Sequence, residues 1–353
     1  MKIGIITVYN SENCGSFLQA YSLFSYLKEN GHEPYFLRNI DYISDSSHHI
    51  MGMCITICKH LVRLDFSSAL NVIRRHRLFS RELKYIGKQV VDLKELNHLD
   101  ACVIGSDTLW NLYDSFFLRN INDYTGGKLK IPFFYYAISG GNTTYLDVEK
   151  NRLDFFPILK ASGISVRDKR TCELVRSITN ESPKVVLDPT LIVDRQLFRP
   201  FETIEVKEPT LVIYAFGQIS TDLQSRISKF AEERNLKVVS FGKKYECSDF
   251  VVPNSPSYFV SYLKDSQFIV TNTFHGTLFS VIYDKQFTVI TDKKDKINDF
   301  LERINLSDRI ISTPYNISVL AERIDYDSIN IDLNELKSSS INYLSAMLNK
   351  ISS

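Results

Sequence analysis

Short apolar, β-branched runs alternate with helix-length segments along this chain, and the alternation starts twice. In the first half, residues 2–8, Glu33 to Leu37, Ala101 to Ile104, Pro132 to Ser139 and residues 163–167 read as strands. Helices are expected over residues 15–29 and Lys169 to Ile178, and Val185 to Leu187 adds a last apolar run. From Leu211 the pattern restarts: strand to Phe216, helix 220–234, strand 236–241, helix 256–265, strand Gln267 to Thr271, a helix from Gly276, and strand Phe287 to Thr291. Strands separated by helix-length stretches need crossover connections, which implies parallel sheets covered on both faces. Pro189, Pro200 and Pro209, set among charges between Asp188 and Thr210, mark a connection. At 353 residues the chain exceeds what one core serves. The expectation is an α/β protein of two Rossmann-like domains facing a cleft, residues 1–195 and 205–353. A helical segment over 317–351 would pack back on the first domain.

His275 is the only histidine after His98 and follows the Gln267 to Thr271 strand. A strand-to-helix turn at the carboxyl end of a parallel strand points backbone N–H groups and a helix dipole outward, which suits an anion. An imidazole there can bind phosphate and exchange a proton near neutral pH. The alternative is a histidine that only caps its own helix.

Ser165-Val166-Arg167-Asp168 ends another strand. Arg167 can grip a carboxylate or phosphate through paired N–H bonds, or pair with an acid across the domain interface. Asp168 reads as a helix cap. Gly105 to Asn111 carries Ser106, Asp107 and the only tryptophan, Trp110, which can stack on a sugar or be buried under its loop. Asn10 to Ser16, with Asn13 and Gly15, is the first strand-to-helix turn. It has one glycine where a dinucleotide fingerprint needs three, and no Walker pattern is present.

A net charge of +1 gives no reason to expect nucleic acid. No apolar run approaches the ~20 residues of a membrane span, and the opening run is too short for a signal peptide, so the expected location is the cytoplasm. The six cysteines are scattered and read as reduced, and no metal site is expected. Residues 59–88 hold eight Lys and Arg against Asp65 and Glu82, interleaved with apolar residues. Such a basic amphipathic helix suits an anionic membrane surface or a pyrophosphate-bearing substrate, or is a solvated face.

Five motifs in order give the chain a resemblance to the polysaccharide pyruvyl transferases: Asn13-Cys14-Gly15-Ser16-Phe17-Leu18-Gln19-Ala20-Tyr21, Gly105 to Asn111, Ser165 to Asp168, Leu187-Asp188-Pro189-Thr190 and Phe274-His275-Gly276-Thr277. Cys14 replaces the usual aromatic. The resemblance implies a GT-B-type fold and transfer of the enolpyruvyl unit of phosphoenolpyruvate to a sugar, closing a cyclic ketal. By that resemblance Arg167 and His275 are catalytic and line the donor site. His275 would hold phosphate with the Gly276 and Thr277 amides, with Asn272 and Thr273 orienting it. Asn13, Gly15, Ser106, Asp107 and Trp110 fall to the acceptor side. No cofactor is implied beyond phosphoenolpyruvate as donor. The acceptor would be a capsule, exopolysaccharide or cell-wall precursor linked to undecaprenyl pyrophosphate, handled at the inner membrane face. Loss of either Arg167 or His275 is expected to abolish transfer with the fold intact.

One rival is a sugar-nucleotide glycosyltransferase of the same shape. Many retaining members use paired glutamates in the second domain, and no glutamate lies between Glu246 and Glu302. The lone Asp325-Tyr326-Asp327 reads as surface. The other rival is a non-catalytic glycan-binding module.

Overall fold

Strands buried on both faces build two parallel sheets. The computed structural model describes residues 1–38, 54–55, 57–58, 62, 66–86, 90–92, 96, 98–291, 295–311 and 323–352. The first sheet holds β1 (Lys2–Ile6), β2 (Glu33–Arg38), β3 (Val90–Asp92), β4 (Ala101–Ile104), β5 (Phe133–Ile138), β6 (Ile164–Val166) and β7 (Lys184–Val185) in the order β3-β2-β1-β4-β5-β6-β7. The second holds β8 (Thr210–Tyr214), β9 (Lys237–Phe241), β10 (Phe250–Val252), β11 (Phe268–Thr271), β12 (Gln286–Ile290) and β13 (Ile310–Ile311) in the order β10-β9-β8-β11-β12-β13. β4, β5, β8 and β11 are buried at every position, as helices on both faces require. The α/β architecture of two Rossmann-like sheets follows from the alternation in the sequence.

The strand order reverses once in each sheet, between β1 and β4 and between β8 and β11. Parallel sheets open a crevice at such switch points, beyond the carboxyl ends of the strands. Register fixes both: Ile6 lies opposite Ile104, and Tyr214 opposite Thr271. β1 stops at Ile6, two residues short of expectation: the Ile6 carbonyl takes the Gly105 amide at 3.0 Å, and beyond it the Thr7 hydroxyl donates to the Ser106 carbonyl at 3.1 Å.

The proline-bearing connection is itself packed. Pro189–Ile192 is a helical turn and Arg195–Phe201 a 3₁₀ segment, with Phe198 and Phe201 fully buried. Phe201 meets Phe17 and Tyr21 of the first lobe at 5.6 and 5.2 Å, and Phe198 meets Phe279 of the second at 4.9 Å. These rings join the two sheets through one hydrophobic cluster.

The last helix, Tyr326–Ser352, starts against the second lobe and ends against the first. Tyr326 donates to the Lys285 carbonyl at 2.5 Å, while Lys350 donates to the Ser162 carbonyl at 2.6 Å. The expected helical residues 317–322 lie outside the described residues. Of the basic stretch, Phe66–Glu82 is helical, whereas Lys59, Arg63 and Lys88 lie outside the described residues. Arg75 and His76 pair with Glu12 at 2.6 and 2.7 Å, and buried Glu82 accepts from the Ser257 amide at 3.1 Å. Arg74, Arg77 and Arg81 are exposed. Among the described residues no helix is long and apolar enough to cross a membrane.

Candidate functional site

The loops leaving both switch points meet. Asn13 caps the Cys14–Glu29 helix, its side chain accepting from the Gly15 and Ser16 amides at 2.9 and 3.3 Å. Gly15 then touches His275. A Cβ on Gly15 would lie 2.1 Å from Nδ1 of the imidazole, so only glycine lets the two lobes approach this closely. Gly15→Ala must displace the ring or part the lobes, and overpacking of this kind costs about 1–3 kcal/mol. Activity is expected to fall at least tenfold with a lower unfolding midpoint, measured by kinetics and thermal melting of the variant.

His275 sits in the first turn of the Phe274–Ile282 helix, capped by Thr273. Its side chain is 12% exposed, and Nε2 stands 3.6 Å from Asp188 Oδ2, an ion-pair distance too long for a hydrogen bond. Arg167, which follows β6, is 4% exposed and places Nη1 2.6 Å from the same Asp188 oxygen. Its guanidinium lies over the Phe274 ring at 4.4 Å, a contact made across the lobe boundary. Among the described residues, Arg167 Nε and Nη2 and His275 Nε2 have no hydrogen-bond partner.

Asp188 organises the cluster. Its Oδ1 accepts from the Thr190 amide and hydroxyl at 3.0 and 2.8 Å, and Oδ2 accepts from the Ser106 hydroxyl at 3.2 Å. Burial alone would raise its pKa, but His275 and the Arg167 guanidinium outweigh burial and hold the carboxyl far below the usual range. Asp107 behaves likewise: burial raises it, while Arg167, His275 and the Ser16 hydroxyl at 2.5 Å bring it down to a net lowering. Two carboxylates held below their usual range, a guanidinium and an imidazole are thus packed where the lobes touch. The sequence reading gave Asp188 no role, though an Asp-Pro pair opening a helical turn was a visible signal. Gln19 was missed too. Fully buried, it donates to Thr7 Oγ1 at 2.9 Å and to the Val8 carbonyl at 3.2 Å, fixing the turn before Asn13.

The remaining expected residues divide. The Gly276 amide donates to Thr273 Oγ1 at 3.0 Å and the Thr277 amide to the Thr273 carbonyl at 3.1 Å. Both are spent on capping and the first helical turn, so neither is free for a phosphate. Thr277 is fully buried, and its hydroxyl donates to the Thr273 carbonyl. Asn272 uses its side chain to grip both backbone groups of Phe216, at 2.9 and 2.7 Å. Ser106 is fully buried behind Asp188. Trp110 is not a sugar platform: it is fully buried against Tyr135 and Phe155, and its indole N–H donates to the Tyr124 carbonyl at 2.9 Å. A ring with no exposed face has nothing to stack on. Asp168 caps the Lys169–Thr179 helix as expected, accepting from the Thr171 amide at 2.8 Å. Cys14, beside the site, is buried and donates to Asn254 at 3.0 Å; burial, with Glu82, pushes its thiol up and keeps it unreactive. Among the described residues no group of three or more His, Cys, Asp or Glu converges as a metal site.

A model of the family described as polysaccharide pyruvyl transferase matches residues 13–294. No curated protein sequence matches the chain. Among solved structures, UDP-GlcNAc 2-epimerase from Methanocaldococcus jannaschii is similar at 12% identity and a TM-score of 0.53, covering 95% of this chain and 93% of that one. A structure of the M. jannaschii enzyme in complex with UDP-GlcNAc and UDP gives 12% identity and 0.52, covering 98% of this chain and 100% of that one. S. aureus MnaA with UDP gives 12% and 0.50, covering 100% and 98%. These likenesses establish the GT-B-type fold.

Proposed function

Because this chain belongs to the polysaccharide pyruvyl transferase family, we propose that it moves the enolpyruvyl unit of phosphoenolpyruvate onto two hydroxyls of a sugar. The acceptor in this reading is an undecaprenyl-pyrophosphate-linked precursor of a bacterial capsule, exopolysaccharide or cell-wall glycan. One observation carries the reading. Arg167 and His275, from opposite lobes, leave three nitrogens without hydrogen-bond partners among the described residues, around a single buried carboxylate. An unsatisfied buried donor costs about 1–3 kcal/mol, so such a cluster is matched to an anionic ligand that supplies acceptors.

In this scheme Arg167 Nε and Nη2 take the donor's carboxylate as a planar fork, and His275 faces its phosphate. A proton passes from His275 to the methylene carbon, and the double-bond electrons form the new C–H bond. A sugar hydroxyl oxygen adds to the cationic carbon beside it. Phosphate departs with its C–O electron pair, and the second hydroxyl closes the ketal. In sum, one hydroxyl proton ends on the new methyl group and the other on phosphate. Asp107, held ionised, is the candidate to take the first hydroxyl's proton. Asp188 positions Arg167. The direct test incubates lipid-linked oligosaccharides with phosphoenolpyruvate and looks by mass spectrometry for one added pyruvyl ketal. Sugar transfer from a nucleotide sugar, with no pyruvyl product, would overturn the reading.

The exposed Arg74, Arg77 and Arg81 are the groups this proposal assigns to an anionic membrane surface. Each such charge is worth about 1 kcal/mol near anionic lipid, so replacing all three by glutamine should weaken binding roughly a hundredfold. Co-sedimentation with phosphatidylserine vesicles measures it, and unchanged binding would assign these arginines to solvation.

A further inference from the structure

Phe216 is 51% exposed, an apolar ring left in the open at the end of β8, beside the second sheet's switch point. Its backbone N–H and C=O are both held by the Asn272 side chain, three residues before His275. The neighbouring carbonyls are fixed as well. The Tyr245 hydroxyl lies 3.2 Å from those of Ala215 and Gly217, and Lys243 Nζ reaches Gly217 O and Gln218 Oε1, each at 3.0 Å. Tyr214 backs the ring at 5.7 Å with a 60° tilt. Gly217 (φ +84°) has open space where a side chain would project. A mobile surface loop does not need every polar group of its tip tied down. Here the bonds fix the backbone beneath a phenyl ring that is half exposed.

We infer that Phe216 is a stacking platform for the pyranose ring of the acceptor, beside the His275 turn, with Lys243 and Gln218 as hydrogen-bonding neighbours. The inference rests on the transferase reading above and adds the subsite that reading lacks, since Trp110 is buried. A sugar presents an apolar C–H face to an aromatic ring and polar edges around it. With the backbone already fixed, only the two side-chain torsions of the ring remain to be ordered on binding.

The test uses the full chain with phosphoenolpyruvate present, saturation-transfer NMR, and methyl glucoside, methyl galactoside, methyl mannoside and UDP as separate probes. At least one glycoside should be saturated by the native protein, lost with Phe216→Ala and retained with Phe216→Tyr. In turnover assays Phe216→Ala should raise the acceptor KM roughly three- to tenfold and leave the KM for phosphoenolpyruvate unchanged. Glycoside saturation surviving in Phe216→Ala, no glycoside bound at all, or UDP alone bound at Phe216 would each overturn the inference. Failure of phosphoenolpyruvate itself to bind would instead fault the donor reading.

Discussion

His275→Ala is expected to lower phosphoenolpyruvate-dependent transfer by about 10²–10⁴-fold, the usual contribution of a positioned acid or base. Stability should also fall, by less than in Arg167→Ala, because Asp188 loses one of its two positive neighbours. The fold should nonetheless survive: removing the imidazole leaves Asp188 its bonds to Arg167, Ser106 and Thr190. His275→Gln separates binding from proton transfer, since an amide can hold phosphate but cannot donate a proton at neutral pH. That variant should keep measurable donor affinity and lose turnover. Near-native turnover in either variant would remove the imidazole from the reaction.

Arg167→Ala should cost both activity and stability. Asp188 would remain buried without its closest partner, and breaking a buried pair from one side typically costs about 3–5 kcal/mol. The contact with the Phe274 face goes with it, loosening the lobe boundary. The sequence reading expected an intact fold after this substitution; Asp188 alters that expectation. Arg167→Ala combined with Asp188→Ala should recover part of the lost stability, because no unpaired charge remains, yet recover no transfer. Arg167→Lys keeps charge but not the fork, and should bind donor poorly. Chemical denaturation of the single and double variants, alongside transfer assays, measures both halves. Equal stability of Arg167→Ala and the native protein would show that the buried pair is not what holds this junction.

The layout was legible because period and length are local signals. Both sheets, the cap at Asp168 and the strand before His275 follow from apolar runs and polar stops, whereas the cap made by Thr273, expected to orient phosphate, was not read. Short edge elements escaped for the same reason. β10, β13 and the Asp295–Arg303 helix are too brief or too charged to stand out by pattern. At the candidate site, the sequence pointed to Arg167 and His275, whose chemistry is carried by the residue itself. It misjudged Trp110 and the Gly276 and Thr277 amides, because burial and capping bonds are decided by what the tertiary fold brings alongside. Asp188 stood within one of the motifs without a role of its own, because its importance comes from two partners, one 21 residues away in the chain and the other in the opposite lobe. Gly15 and His275 could not have been paired from sequence at all.

Calorimetric titration of phosphoenolpyruvate into the native chain and into His275→Ala and Arg167→Lys bears most directly on the claim that these two side chains jointly hold the donor. Saturable binding by the native protein, weakened at least tenfold in each variant, is the expected result. Native binding that both variants retain in full would contradict it.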